Sequence, residues 1–369
     1  MTRRRQRRTL KPLPGGRVEY KGRSFINFCS NDYLGLAQDE RIVQALKEAA
    51  DEYGVGSGAS QLITGYSEAH EQLEQQLADF TGYDRALFFS NGYMANLGVI
   101  TALADRHTSL YLDRLAHASL IDATRLSRAR YQRYAHNSVA DLMARLADDQ
   151  QQRRLVVSEG VFSMEGDRAP LIDIAQCCQQ QKALFYLDDA HGFGVLGEQG
   201  RGSRSAQGLD TDAVPLQMAT FGKALGVSGA FVAGSHELIE TILQRSRTLT
   251  YSTAPPPALA RATATALTIV IAEQWRRDKL EALVQYWRRV AHEQELPLLE
   301  SDTAIQPLLI GADADALAVS ESLMEHGLLV SAIRPPTVPE GEARLRITLT
   351  SAHEQADIDR LVQALAASL

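Results

Sequence analysis

Short runs of β-branched, aromatic and aliphatic residues recur along the front of the chain, at 86–89, 110–112, 155–157, 184–187, 217–220 and 230–232. Between several of them, apolar positions fall at the helical period. In residues 70–80, Leu73, Leu77 and Phe80 share one face, and Ser67 stands where a helix cap is needed. Strand-length runs separated by amphipathic helices predict βαβ units and an α/β fold with a mostly parallel sheet.

The pattern changes at Pro255-Pro256-Pro257. Helical segments follow, then an apolar run at 304–310, a helix ending near Gly327, further runs at 328–333 and 343–349, and a terminal helix. This reads as a smaller C-terminal α+β domain. The expected organisation is an N-terminal arm at 1–35, a large domain at 36–257 and a small domain at 258–369.

Composition narrows the function. The chain has 369 residues, 45% of them hydrophobic and 22% charged, which suits a globular protein with a large core. A net charge of -7 argues against a nucleic-acid partner, which would need a broad basic face. The basic run Arg3-Arg4-Arg5-Gln6-Arg7-Arg8 is not followed by the apolar stretch of a signal peptide, and it reads mainly as a solvated arm. No apolar run approaches a membrane span. Cys29, Cys177 and Cys178 offer neither a disulfide framework nor a zinc spacing, so no metal is expected and a reducing, cytoplasmic setting is.

The chemistry centres on Lys223, in a small-residue loop after the run at 217–220, and on Asp188, which ends the run at 184–187. Pyridoxal phosphate needs a lysine for its Schiff base and a carboxylate to keep its pyridine nitrogen protonated. Other polar residues also follow apolar runs: Ser158-Glu159, Thr220, and Ser90-Asn91-Gly92-Tyr93. Open α/β sheets place their sites beyond the carboxyl ends of the strands. The turn at Gly92 reads either as an ordinary strand-to-helix turn or as a phosphate site at a helix N-terminus. Gly192, Gly194 and Gly197 make a G-x-G-x-x-G, but the turn-rich text after it opens no helix, so dinucleotide binding is rejected and a flexible loop beside the cofactor is expected. His117 by itself reads as a structural histidine or as a ring stacked on the cofactor. Arg344 and Arg346 alternate with apolar residues, and each suits an inward carboxylate grip or a rim salt bridge.

The order-dependent motifs resemble the α-oxoamine synthases, a branch of the fold-type I PLP-dependent transferases. They are SNDYLGL (30–36), GSGASQLITGYSEAHEQLE (56–74), SNGYMAN (90–96), DRLAHASL (113–120), EGVFSMEGD (159–167), DDAHGFGVLGEQGRG (188–202) and TFGKALGVSG (220–229). The segment at 332–339, AIRPPTVP, followed by Arg344 and Arg346, resembles the branch that condenses L-alanine with a pimeloyl thioester, carried as pimeloyl-CoA or on pimeloyl-acyl carrier protein. The alternatives are a family member using glycine or serine, and a non-catalytic subunit of the same fold.

The resemblance implies roles. Lys223 binds pyridoxal 5'-phosphate and later moves the α-proton, Asp188 holds the pyridine nitrogen, His191 contacts the ring hydroxyl and His117 stacks on the ring. Ser163 and Thr220 hydrogen-bond the cofactor, and Gly92 and Tyr93 lie on its acyl-substrate side. Arg346 takes the amino-acid carboxylate with Asn31 nearby, and Thr337 contacts substrate. Arg334 is a candidate for steering the anionic acyl donor. Ser252 and Thr253 reach the phosphate of a neighbouring subunit, so a homodimer is implied. The family has a longer N-terminal helix before SNDYLGL, with an arginine that touches substrate. Arg5 is its counterpart by best placement, against Arg3, Arg4, Arg7 and Arg8, and the true start of the chain is expected to lie elsewhere if the start codon is misassigned.

Overall fold

The computed structural model describes residues 7–369. The chain falls into two compact units. One comprises Leu36–Ser163 and Arg168–Gln274; the other comprises the described residues up to Gly35 with Met164–Asp167 and Trp275–Leu369.

Seven strands form the sheet of the first unit, in the order Arg85–Phe89, Ala230–Gly234, Leu216–Thr220, Leu184–Asp188, Arg153–Glu159, Thr108–Asp113, Arg130–Tyr134. Ala230–Gly234 runs antiparallel to both neighbours and the remaining pairings are parallel. The mostly parallel sheet expected from the alternation is therefore present. All six residues of Thr108–Asp113 are buried, as befits a strand covered on both faces. One face packs Leu87, Leu110, Leu155 and Tyr186 with the helix Gly92–Leu103; the other packs Tyr111, Val156 and Phe185 with Leu171–Gln180.

The helix expected at 70–80 spans Glu68–Thr81. Ser67 stands at its N-cap, and its N–H donates to His70 Nδ1 at 3.1 Å. Gly82 ends it in the left-handed conformation at φ 77, which costs glycine nothing. The triple proline opens a helix of the same unit, Pro257–Ala272, where a proline in the first turn loses no internal hydrogen bond.

The second unit holds two sheets. Ile305–Gly311, Ala343–Thr348 and Ser331–Ile333 form an antiparallel one. Lys11–Leu13, Arg17–Tyr20 and Arg23–Asn27 form the other with Leu328–Leu329. The apolar run at 328–333 is thus divided at Val330, because its two halves hydrogen-bond to different neighbours. Among the described residues, no helix is long and apolar enough to cross a membrane.

Candidate active site

Six strands of the first unit point the same way, and the polar residues of interest gather at their carboxyl ends. Asp188 ends Leu184–Asp188 and is buried. Its Oδ1 accepts the Ala190 N–H at 3.0 Å, and its Oδ2 accepts Asn96 Nδ2 at 2.8 Å. Thr220 ends the adjacent strand; its hydroxyl donates to Gly229 O at 2.9 Å, which shapes the turn carrying Lys223. Lys223 Nζ lies 2.8 Å from His191 Nε2.

His117 caps the helix Ala118–Ser127, and its Nδ1 accepts the Ser119 N–H at 3.3 Å. Its backbone N–H donates to Glu159 Oε1 at 2.6 Å. Solvent reaches His117, while the protein packed around it lowers its pKa by desolvation; Asp188 opposes that shift and Lys223 adds to it. Burial first, and then the charge of Asp188, raise Glu159 well above the ordinary carboxyl range.

Asn91 caps the helix Gly92–Leu103, its side chain accepting the Met94 N–H at 2.9 Å. A Cβ placed on Gly92 would sit 3.7 Å from the Met218 side chain and from Thr220 Cβ, so this helix N-terminus adjoins the Thr220 strand end. The Tyr93 hydroxyl donates to Asp122. Ser163 is half-buried just past Phe162. Ser252 and Thr253 follow the short helix Arg247–Thr250, where Ala254 N donates to Ala59 O at 2.9 Å.

The remaining sequence candidates belong to the second unit. Arg346 is buried on Ala343–Thr348, and both of its terminal nitrogens donate to Asn31 Oδ1 at 3.2 Å, with one also on Thr348 Oγ1 at 2.9 Å. Arg344 pairs with Glu165 at 3.3 Å and Glu342 at 3.1 Å, so of its two readings the salt bridge is the one present. Arg334 and Thr337 share a turn, the Thr337 N–H donating to Arg334 O at 3.0 Å. Arg5 lies outside the described residues. Among the described residues, no group of three or more His, Cys, Asp or Glu side chains is arranged to hold a metal ion.

The glycine-rich segment after His191 differs from the flexible loop expected. It wraps the buried carboxylate of Asp189, which accepts from Ser203 N at 2.8 Å, Ser203 Oγ at 2.5 Å and Gln217 Nε2 at 3.1 Å. A Cβ on Gly160, Gly192 or Gly202 would overlap that carboxylate or Ser203. The glycines make room for close packing. Sequence reasoning also passed over Asn96 and Tyr186 and did not single out Ser119. The available signal was weak: Asn96 stands one helical turn beyond Gly92, on the same face.

The model of the aminotransferase class I and II family matches residues 23–365. The chain belongs to that family. It is 53% identical over 362 residues to 8-amino-7-oxononanoate synthase of Alcanivorax borkumensis, covering 98% of this chain and 94% of that one. The enzyme of the same name from Thioalkalivibrio sulfidiphilus is 53% identical over 366 residues, covering 99% and 93%. Among solved structures, serine palmitoyltransferase from S. paucimobilis with bound PLP and myriocin matches with a TM-score of 0.94 at 30% identity, over 98% of this chain and 92% of that one. The 8-amino-7-oxononanoate synthase of Francisella tularensis matches with a TM-score of 0.82 at 29% identity, over 93% and 97%.

Proposed function

We propose that this chain is a PLP-dependent acyltransferase that condenses L-alanine with a pimeloyl thioester, giving 8-amino-7-oxononanoate, CO2 and the free thiol carrier, a step of biotin biosynthesis in the cytoplasm. The observation that carries the chemistry is Lys223 Nζ held 2.8 Å from His191 Nε2, with the Asp188 carboxylate ending the neighbouring strand. The choice of substrates rests on the relatives that are more than half identical over nearly the whole chain.

The residues fit the cofactor. An amine, an acceptor-only carboxylate, a strand-end hydroxyl and an imidazole reached by solvent form the donor set that pyridoxal phosphate needs at its aldehyde, ring nitrogen, phosphate and ring face. When bound, the cofactor serves as the sink for negative charge developing at the amino-acid α-carbon. Lys223 anchors it, then removes the α-proton of alanine and returns a proton later. Asp188 keeps the pyridine nitrogen protonated, His191 meets the ring hydroxyl, and His117 covers the ring. Ser163 and Thr220 hold the cofactor, and Gly92 and Tyr93 line the acyl side. Arg346 and Asn31 take the alanine carboxylate, Thr337 touches substrate, and Arg334 steers the anionic donor. Arg346 now donates to neutral oxygens, and a carboxylate is a stronger acceptor for the same fork.

Activity in this reading belongs to a homodimer, with Ser252 and Thr253 serving the phosphate of the other subunit. The support is apolar surface beside them: Val55, Ile63 and Tyr251 are 88%, 75% and 72% exposed. The likeness to serine palmitoyltransferase supports a second reading, a family member using another amino acid. Purified protein offered alanine, glycine or serine with pimeloyl, acetyl, succinyl or palmitoyl thioesters tests both. Alanine with a pimeloyl donor should give the highest kcat/KM. Leakage to glycine is expected, because one methyl group is worth only about 1–3 kcal/mol. Preference for serine with a palmitoyl donor would replace the first reading with the second.

A further inference from the structure

Asp188 and His117 are joined by a buried chain of hydrogen bonds whose middle members, Asn96 and Ser119, have no role in the chemistry above. Asn96 Nδ2 donates to Asp188 Oδ2 and to Ser119 Oγ, each at 2.8 Å. The Tyr186 hydroxyl donates to Asn96 Oδ1 at 2.6 Å. Ser119 Oγ lies 2.8 Å from His117 Nδ1. Asn96, Ser119 and Tyr186 are at most 1% exposed, so water does not substitute for any of them.

The direction of every bond follows from one end. A carboxylate only accepts, so Asn96 must turn its NH2 group toward Asp188 and its carbonyl toward Tyr186. The tyrosine keeps its proton, because burial and then the charge of Asp188 raise its pKa far above the ordinary value. The second amide proton of Asn96 goes to Ser119 Oγ. The serine hydroxyl proton is then free for His117 Nδ1. That nitrogen also takes the Ser119 backbone N–H, and it faces the positive end of the helix Ala118–Ser127. A proton on Nδ1 would meet the Ser119 N–H and a helix N-terminus and would turn the serine hydroxyl away from its donor role.

We propose that Asn96 and Ser119 are positioning residues that carry the acceptor character of Asp188 to His117, holding its imidazole as the tautomer protonated on Nε2. His117 therefore offers an N–H donor from Nε2. The roles of Asp188 and His117 in the reaction rest on the proposed function, but the relay is a property of the folded protein and is tested without turnover.

The experiment is 15N NMR of histidine-labelled holoenzyme, with His117 assigned by its loss in His117→Asn. The wild type should show an unprotonated, hydrogen-bonded Nδ1 and a protonated Nε2. Ser119→Ala removes the hydroxyl donor, so the Nδ1 resonance should move toward that of a free lone pair; Ser119→Thr should restore it. Asp188→Asn is the decisive variant. An amide at 188 lets Asn96 reverse, Ser119 then donates to Asn96, and the His117 resonance should move as it does in Ser119→Ala. A purely local capping role for Ser119 would leave Asp188→Asn at the wild-type position. That result, or a proton on Nδ1 in the wild type, overturns the proposal. In kinetics, Ser119→Ala should lower kcat about fivefold to tenfold, the scale of one hydrogen bond, and Ser119→Thr should recover it. The NMR result together with no turnover of alanine and a pimeloyl thioester would remove the proposed function and leave the relay standing.

Discussion

Lys223 Nζ and His191 Nε2 lie 2.8 Å apart because two neighbouring strands end side by side. Asp188 is in register with Met218, so the turn after each strand places a residue over the same gap: His191 comes three positions past Asp188, and Lys223 three past Thr220. The lysine is thereby anchored at a fixed distance from a group that can share its proton. An amine that must carry a cofactor and later take a proton from carbon needs such a setting.

The first expected outcome is covalent. Borohydride reduction of the holoenzyme should leave a pyridoxyl group on Lys223, located by peptide mapping, and Lys223→Ala should lose that label. Labelling of another lysine would remove Lys223 from its assigned role.

Asp188→Asn should retain cofactor but lose at least about a hundredfold in turnover, the usual scale for deleting a preorganised electrostatic partner. A neutral amide cannot hold the ring nitrogen protonated. Exchange of the alanine α-proton in single turnovers is the measurement, and near-normal exchange would refute the role.

Much of the fold was legible because strand and helix periods differ and because polar residues follow the apolar runs. Lys223 and Asp188 could be singled out for that reason, and the family motifs then supplied the roles proposed for His191, Thr220, Ser163 and Arg346. Asn96, Ser119 and Tyr186 were not legible, since each is an ordinary residue type whose importance comes from three-dimensional neighbours. The glycines at 192–202 misled for a related physical reason. Glycine is demanded by chain flexibility and by close approach alike, and only the buried carboxylate of Asp189 shows that close approach applies at Gly160, Gly192 and Gly202. Arg344 and Arg346 look equivalent in sequence; the carboxylates beside Arg344 separate them.

Gly202→Ala tests the packing around Asp189. The new methyl group would overlap the Asp189 carboxylate at a backbone φ of +100, so a loss of about 2–4 kcal/mol is expected from overpacking and strain together. Gly208→Ala is the control: its φ is +67, and nothing lies within 4 Å of the added Cβ. It should cost only about 1–2 kcal/mol, the penalty of the left-handed conformation. Equal melting temperatures for the two variants would contradict the packing account.

Arg346 and Arg344 should separate kinetically from structurally. Arg346→Lys keeps the charge but loses the bidentate fork, so KM for alanine should rise about tenfold with little change in melting temperature. Arg344→Ala leaves Glu165 and Glu342 without their shared cation and should lower stability instead. A rise in alanine KM confined to Arg344→Ala would reverse the two assignments.

His353 gives a pH dependence whose sign is fixed. It is fully buried against Phe28, with ring centroids 4.5 Å apart. Its Nδ1 accepts the Thr350 N–H at 3.3 Å, so Nε2 carries the proton and donates to Asn27 O at 3.2 Å. Burial lowers its pKa to about 4, outweighing the attraction of Asp357. Unfolded, the ring titrates near its ordinary value of about 6.5. Between those values the unfolded chain binds the additional proton. The stability this group contributes is therefore complete above pH 6.5 or so and is lost as pH falls toward about 4, at up to ~1.4 kcal/mol per pH unit and about 3 kcal/mol in all. Asp189 and Glu74, each raised to about 7 mainly by burial, act in the opposite sense over part of this range. Both remain in His353→Gln, so the comparison of variant with wild type cancels them. At pH 7 the variant should melt lower, having lost the ring packing. On acidification to pH 4.5 the gap should close, because only the wild type must pay to bury a ring that prefers to be charged. A gap independent of pH would show that His353 does not titrate differently in the folded and unfolded chain.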